Sequence, residues 1–171
     1  MLDIAHLTDL LKHAAWADAR LFEAWGKAPD PEDLELRQRQ AHITATQEFF
    51  LKVLRGEDDL PWAQILSGEI RAPWLDLPIP SFAVLHDWSR ATHAQLADFL
   101  AKLDPDAAGG PVAIPWFPGC EIPVAEALVQ VAMHTQHHRG QMMTRLKQIG
   151  GTPVDVDYII WLWQQRPVPE W

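Results

Sequence analysis

The chain has 171 residues, 48% of them hydrophobic, and a formal charge of −9 with histidine neutral. That is apolar material enough for one domain, residues 1–171, with a substantial core. The charge argues against a nucleic-acid backbone as the main partner, because such partners select basic patches.

Nine Trp against one Tyr supply aromatic mass without hydroxyls, suited to filling a core and lining an apolar cleft. Met1 to Leu11 is amphipathic and carries Asp3, His6 and Asp9. It lacks the basic start and apolar run of a secretory signal, and no apolar run is long enough to span a bilayer. The single cysteine, Cys120, cannot form an internal disulfide and suits a reducing compartment. The expectation is a cytoplasmic protein with no membrane partner.

Four helical segments follow in chain order. Leu7, Leu10, Leu11, Ala14, Leu21, Phe22 and Trp25 recur at helical spacing and predict a helix from about Ile4 to Trp25, stopped by Gly26 and Pro29. A second is predicted from about Pro31 to Leu54, with Asp30 as N-cap, Pro31 at the first helical position and Gly56 closing it. The short link predicts that these two are antiparallel neighbours. Glu57 to Pro80 is a long link with Pro61, Pro73, Pro78, Pro80, Trp62 and Trp74, which reads as a packed cover.

The third helix starts at the N-cap Ser81 and reaches about Leu103, with Phe82, Leu85, Ser89, Thr92, Leu96, Phe99 and Leu103 on one face. The link from Asp104 to Pro123 can hold a short hairpin around Val112 to Trp116. The fourth helix runs from about Val124 to Ile149 and is ended by Gly150-Gly151 and Pro153. Tyr158 to Trp163 reads as a strand or short helix folded back on the rest. The fold class is all-α: an antiparallel four-helix bundle with long connecting loops.

The fourth helix carries the most chemistry. In His134-Thr-Gln-His137-His138-Arg139-Gly140-Gln141, His134 and His138 stand at i and i+4, so their rings share one face and can converge on one ion. Val124, Leu128, Val131, Met142, Leu146 and Ile149 define an apolar stripe, with His138 near its middle and His134 on its shoulder. His137 lies about 100° away and reads as a flank residue. An inward imidazole without a partner is costly.

Catalytic zinc-type sites take three protein ligands and keep one position open. His42, on a face with Ala45, Thr46, Phe49 and Val53, reads as buried and is the best candidate from a second helix. His6, His13, His86 and His93 read as surface or rim residues. Gln141, Glu48 and Gln47 are candidates to orient the rings. Three neutral imidazoles suit Zn, Ni, Fe or Cu. The competing reading is an ordinary hydrogen-bonded core histidine, harder to sustain for three inward rings on two helices.

His134-Thr-Gln-His-His138-Arg139-Gly140-Gln141 resembles the HxxxHRGQ signature of the DinB/YfiT-like family, the DinB superfamily. Trp16-Ala17-Asp18-Ala19-Arg20-Leu21 is similar to its WANxRL pattern, Ala41-His42-Ile43 to the segment of its first ligand, and Gly151 to Tyr158 to its closing segment. The resemblance implies a four-helix bundle with a divalent metal, zinc or nickel, held by three histidines that map onto His42, His134 and His138. It also implies a homodimer. Relatives include transferases and isomerases using low-molecular-weight thiols such as bacillithiol or mycothiol. Asp18 stands where Asn is usual. It faces inward by helical phase and needs a partner such as Arg20 or a donor from another helix.

Three functions compete. The first is metal-dependent transfer of a low-molecular-weight thiol to a small electrophile, with an apolar cleft near Phe49 and the loop tryptophans. The second is a hydrolase with a metal-bound water, which needs a general base; Glu48 and Glu126 read as poorly placed for it. The third is a non-enzymatic metal-binding bundle. Cys120, in a Pro-Gly loop, is given no role.

Overall fold

A computed structural model describes residues 3–72 and 77–171. The chain is mainly helical with one small sheet. Helix α1 spans Ile4–Gly26, α2 Leu34–Arg55, α3 Trp62–Ser67, α4 Phe82–Lys102, α5 Val124–Gln148 and α6 Tyr158–Trp163. Strands β1 (Pro111–Ala113) and β2 (Glu121–Pro123) form an antiparallel hairpin in which Val112 faces Ile122. The hairpin is thus where the sequence suggests, but its second strand lies beyond Trp116. The tail takes the helical alternative. Pro73 and Trp74 of the long link fall outside the described residues.

Local chemistry sets the helix ends. The Asp3 carboxylate accepts from the Ala5 N–H at 3.0 Å, and Ser81 Oγ accepts from Val84 N–H at 3.4 Å. Helix α2 begins three residues later than expected. Asp30 caps a turn, accepting from the Glu32 N–H at 3.0 Å, because a short acidic side chain can satisfy its own following backbone. Asp33 is the true cap. It accepts from the Leu36 N–H at 3.0 Å and holds Arg145 of α5 through Oδ1 at 3.1 Å and Oδ2 at 2.5 Å. Beyond α5 the chain turns through Gly150 at φ +85°, and the Gly151 N–H bonds Leu146 O at 2.9 Å. A Cβ on Gly151 would stand 2.5 Å from Leu146 Cδ1, so this approach requires glycine.

The four long helices pack in a ring: α1 against α4 and α5, and α2 against α4 and α5. Helices α1 and α2, expected to be neighbours, therefore lie across a diagonal. The reason is visible in the core. Leu21, Phe22 and Trp25 of α1 and Leu36 and Ile43 of α2 meet around Leu85 of α4 and Met142 and Leu146 of α5. At the other end Leu7 and Leu11 join Phe50 and Leu51, Leu96 and Leu100, and Leu128 and Val131. The start of α1 thus sits with the start of α5 and with the ends of α2 and α4. Two of the contacting pairs, α1 with α5 and α2 with α4, run parallel, so the ring is not antiparallel throughout.

Between these apolar ends lies a polar layer. Asp18, Gln40, Thr44, Gln47, Ser89, Thr92, His93, Thr135 and Arg139 are all buried at mid-height. A third cluster seats α6, where Trp161 packs on Trp16 and Ala17.

Candidate metal centre

Helix α5 places His134 and His138 one turn apart, with ring centroids 4.4 Å apart. Helix α2 runs antiparallel beside it and brings His42 to ring distances of 5.0 Å from His134 and 4.7 Å from His138. One ring nitrogen from each lies within 4.8 Å of the other two, and His42 Nε2 is 3.2 Å from His134 Nε2. His42 therefore converges with two side chains 92 and 96 positions further along the chain.

Their burial differs from the expected pattern. The inward face of α5 is Leu128, Val131, Thr135, Arg139, Met142 and Leu146, and that of α2 is Leu36, Gln40, Ile43, Thr44, Gln47, Phe50 and Leu51. Thr135 and Arg139, not His138, occupy the middle of the α5 stripe. His134 and His138 are half-buried and His42 is exposed. The rings sit on facing edges of α2 and α5, in a seam open to solvent. The inward positions were taken by polar side chains whose bonds are completed within the layer, as where Gln47 Nε2 donates to Thr135 Oγ1 at 2.9 Å.

Burial and crowding disfavour a proton on two of the rings, His134 and His42. Burial, and then the neighbouring His138, His42 and His137, lower His134 to a pKa of about 4. Burial, and then His138, lower His42 as well. Among the described residues no carboxylate belongs to the cluster, so none of them offers a counterion to a proton on one ring. The His134 Nδ1 is buried with no hydrogen-bond partner among the described residues. Two facing nitrogens 3.2 Å apart can share at most one proton, and three neutral imidazoles are the form in which histidine binds a metal. This donor set fits a divalent ion of the zinc or nickel kind. The three histidines can hold a metal ion.

Of the three candidates to orient the rings, one does so. Gln141 Oε1 accepts from His138 Nδ1 at 2.8 Å. Gln47 is engaged with Thr135. Glu48 accepts from Trp88 Nε1 of α4 at 3.2 Å, and Glu126 is exposed two turns before His134, so neither carboxylate serves the site as a base. His137 is exposed, as expected, but its Nε2 lies 3.1 Å from Gln141 Nε2. Phe49, two turns beyond His42 on α2, packs on Trp62 at 4.7 Å and Trp116 at 4.4 Å. Cys120 is half-buried in the hairpin turn and is not part of the cluster.

Two other histidines correct the sequence reading. His13 and His93, expected at the rim, are buried. His13 Nε2 meets Val156 O at 2.7 Å and its ring stands edge-on to Tyr158 at 5.2 Å. His93 Nε2 lies 2.8 Å from Asp18 Oδ2. Arg139 Nε donates to Asp18 Oδ1 at 2.8 Å, and its terminal nitrogens reach Gln136 Oε1 at 2.6 Å and Ala14 O at 3.2 Å. Asp18 faces inward as expected, but its donors come from α4 and α5; Arg20 pairs with Glu23 at the surface. Burial pushes the Asp18 carboxyl up, and the Arg139 charge and His93 bond outweigh it and hold it below the usual range. The missed signal was the phase of Arg139. It falls on the line of Leu128, Val131, Met142 and Leu146, where a charge must find a buried partner.

Residues 6–142 match the family model of the DinB superfamily, a span that includes His42, His134 and His138. The chain belongs to the DinB superfamily. The closing segment Gly151–Tyr158 lies beyond the match. No curated protein and no solved structure matches the chain significantly. Among the described residues no helix is long and apolar enough to cross a membrane.

Proposed function

We propose that His42, His134 and His138 hold a divalent metal ion, zinc or nickel, and that the protein is a metal-dependent enzyme transferring a low-molecular-weight thiol to a small electrophile. In this reading the four long helices are the four-helix bundle of the family, and the resemblance further supports a homodimer. The observation that carries the reading is the convergence of three imidazoles, with no carboxylate among the described residues joining them, in a seam that leaves one side open.

A metal bound there supplies Lewis acidity, which favours the thiolate form of a sulfur ligand. The rest falls to the chain. His42 is the exposed member and stands at the mouth. Gln141 holds the His138 ring. Phe49, Trp62 and Trp116 form an aromatic wall about 10 Å along α2 from His42, at the helical rise per residue, suited to an apolar acceptor. Among the described residues no carboxylate of the site is poised as a base, which favours thiol transfer over hydrolysis.

Two measurements test this. Elemental analysis of purified protein is expected to give about one metal per chain. The metal-loaded protein is then assayed with several thiols and electrophiles. Conjugation that needs both thiol and metal supports the reading. Turnover without thiol assigns the site to hydrolysis, and inactivity with full metal content leaves a binding bundle.

A further inference from the structure

Three side chains meet at the amide of Gln141. Arg39, on α2 one turn before His42, donates through NH1 to Gln141 Oε1 at 2.5 Å. His138 Nδ1 is 2.8 Å from the same oxygen, and His137 Nε2 is 3.1 Å from the amide nitrogen. We propose that Arg39 is a positioning residue: by fixing which way the Gln141 amide points, it sets the tautomer of His138 and so the ring nitrogen offered to the metal.

The deduction uses only donor and acceptor inventories. A guanidinium has donors and no acceptor, so the amide atom facing Arg39 is the oxygen. That oxygen also faces His138 Nδ1, which must then donate and carry the ring proton. The lone pair of His138 is left on Nε2, the same nitrogen that His42 and His134 turn toward each other. At the other end the amide N–H donates to His137 Nε2, so His137 steadies the amide although it is not in the cluster.

A flipped amide would set N–H against guanidinium, donor against donor. Without Arg39 that penalty disappears. The N–H2 can then face His138 Nδ1, moving the ring proton to Nε2, where it blocks ligation.

Arg39 is itself held. Its Nε and NH2 donate to Glu35 Oε1 at 3.2 and 2.7 Å, and Arg145 reaches the other Glu35 oxygen at 3.5 Å. The guanidinium is therefore fixed against Gln141 and does not swing into the seam. The consequence for metal rests on the proposed ligand role of His138. The tautomer is a property of the metal-free chain and is tested there.

The experiment is two-bond ¹H–¹⁵N correlation on metal-free, ¹⁵N-labelled full-length protein at about pH 8, above the histidine range. Zinc affinity is measured in parallel by chelator competition. In the parent protein His138 is expected as the Nδ1–H form. Arg39→Met is expected to bring in the Nε2–H form and to weaken zinc binding about 10- to 100-fold, the usual loss for an outer partner of a ligand.

Arg39→Lys is expected to restore the Nδ1–H form, because an ammonium is also donor-only. Gln141→Leu is expected to shift the tautomer with Arg39 intact. A His138 that is Nε2–H in the parent, or Nδ1–H in both Arg39→Met and Gln141→Leu with unchanged circular dichroism, overturns the proposal. If the tautomer moves as expected but the parent binds no zinc, the metal reading fails and the positioning role stands. If zinc binds and the tautomer does not move, the reverse holds.

Discussion

Helix α5 serves two histidine centres from adjacent residues, and they are built on opposite principles. Arg139 turns inward to Asp18 and His93, a cluster sealed at the middle of the ring with each member 5% exposed or less. His138 turns outward to His134 and His42, in an open seam. The inner centre has one carboxylate bonded by two donors from two other helices. The outer has three imidazoles and, among the described residues, no carboxylate. A charge-satisfied histidine in a sealed layer is architecture, since it ties α1, α4 and α5 together. Imidazoles that turn their ring nitrogens on one another are a donor set that can hold a cation.

The largest expected effect breaks the outer centre alone. His42→Ala, His134→Ala and His138→Ala are each expected to lower bound metal to a small fraction of the parent content by elemental analysis. His137→Ala should retain it, since His137 lies beside the three converging nitrogens without joining them: its ring stands edge-on to His138 at 4.9 Å and its Nε2 faces the Gln141 amide. Equal metal in all four variants would erase the distinction between the centres. The complementary break is Asp18→Asn. It leaves the Arg139 guanidinium buried without its anion, a loss of about 3–5 kcal/mol by denaturant unfolding, with metal content per folded chain unchanged.

Acidification sharpens the comparison because both centres respond in the same direction for different reasons. His134 has a folded pKa of about 4 against an unfolded value of about 6.5. Between those limits the unfolded chain binds a proton that the folded chain refuses. Stability of the metal-free protein is therefore expected to be level above about pH 6.5 and to fall as the pH drops toward 4. Asp18 is depressed. Its contribution is present above the usual carboxylate pKa of about 3.9 and is lost as the pH falls further. Urea midpoints across this range should show two steps in the parent protein. His134→Ala should shrink the upper, to which His42 and His13 also contribute, and Asp18→Asn the lower, which Asp33 shares. Metal affinity should fall over the upper step as protons compete for the rings, and a flat affinity from pH 8 to 4 would remove the imidazoles from the ligand set.

Much of the outer centre was legible because helical spacing is local. His134 and His138 at i and i+4 share a face whatever surrounds them, and the family motif pointed to His42. Burial was not legible in the same way. His42 was read as inward from Phe49 and Val53, yet Gln40, Thr44 and Gln47 fill the inner face of α2 at mid-height. Polar residues at core positions are invisible to an apolar-stripe argument until their partners on other helices are known. The same blindness sent His13 and His93 to the rim and left the partner of Asp18 open between Arg20 and a donor from another helix, which is what the structure has. The diagonal placement of α1 and α2 had no local signal either, because a short link limits distance without choosing a neighbour.

The finest test applies one substitution to both centres. Glutamine keeps a hydrogen-bond donor but has no imidazole lone pair. In His93→Gln the amide N–H2 can still donate to Asp18, and Arg139 holds the other carboxylate oxygen. The charge stays compensated, so the cost should be near that of one adjusted hydrogen bond, about 1 kcal/mol, with metal content and its pH dependence unmoved. His42→Gln, at an exposed position, should cost less stability still and yet abolish metal retention. Opposite rankings of the two variants by unfolding midpoint and by metal content are what a structural inner histidine and a ligating outer one require. If His93→Gln lost metal as His42→Gln does, the inner cluster would be part of the metal centre, with Asp18 acting on His138 through Arg139.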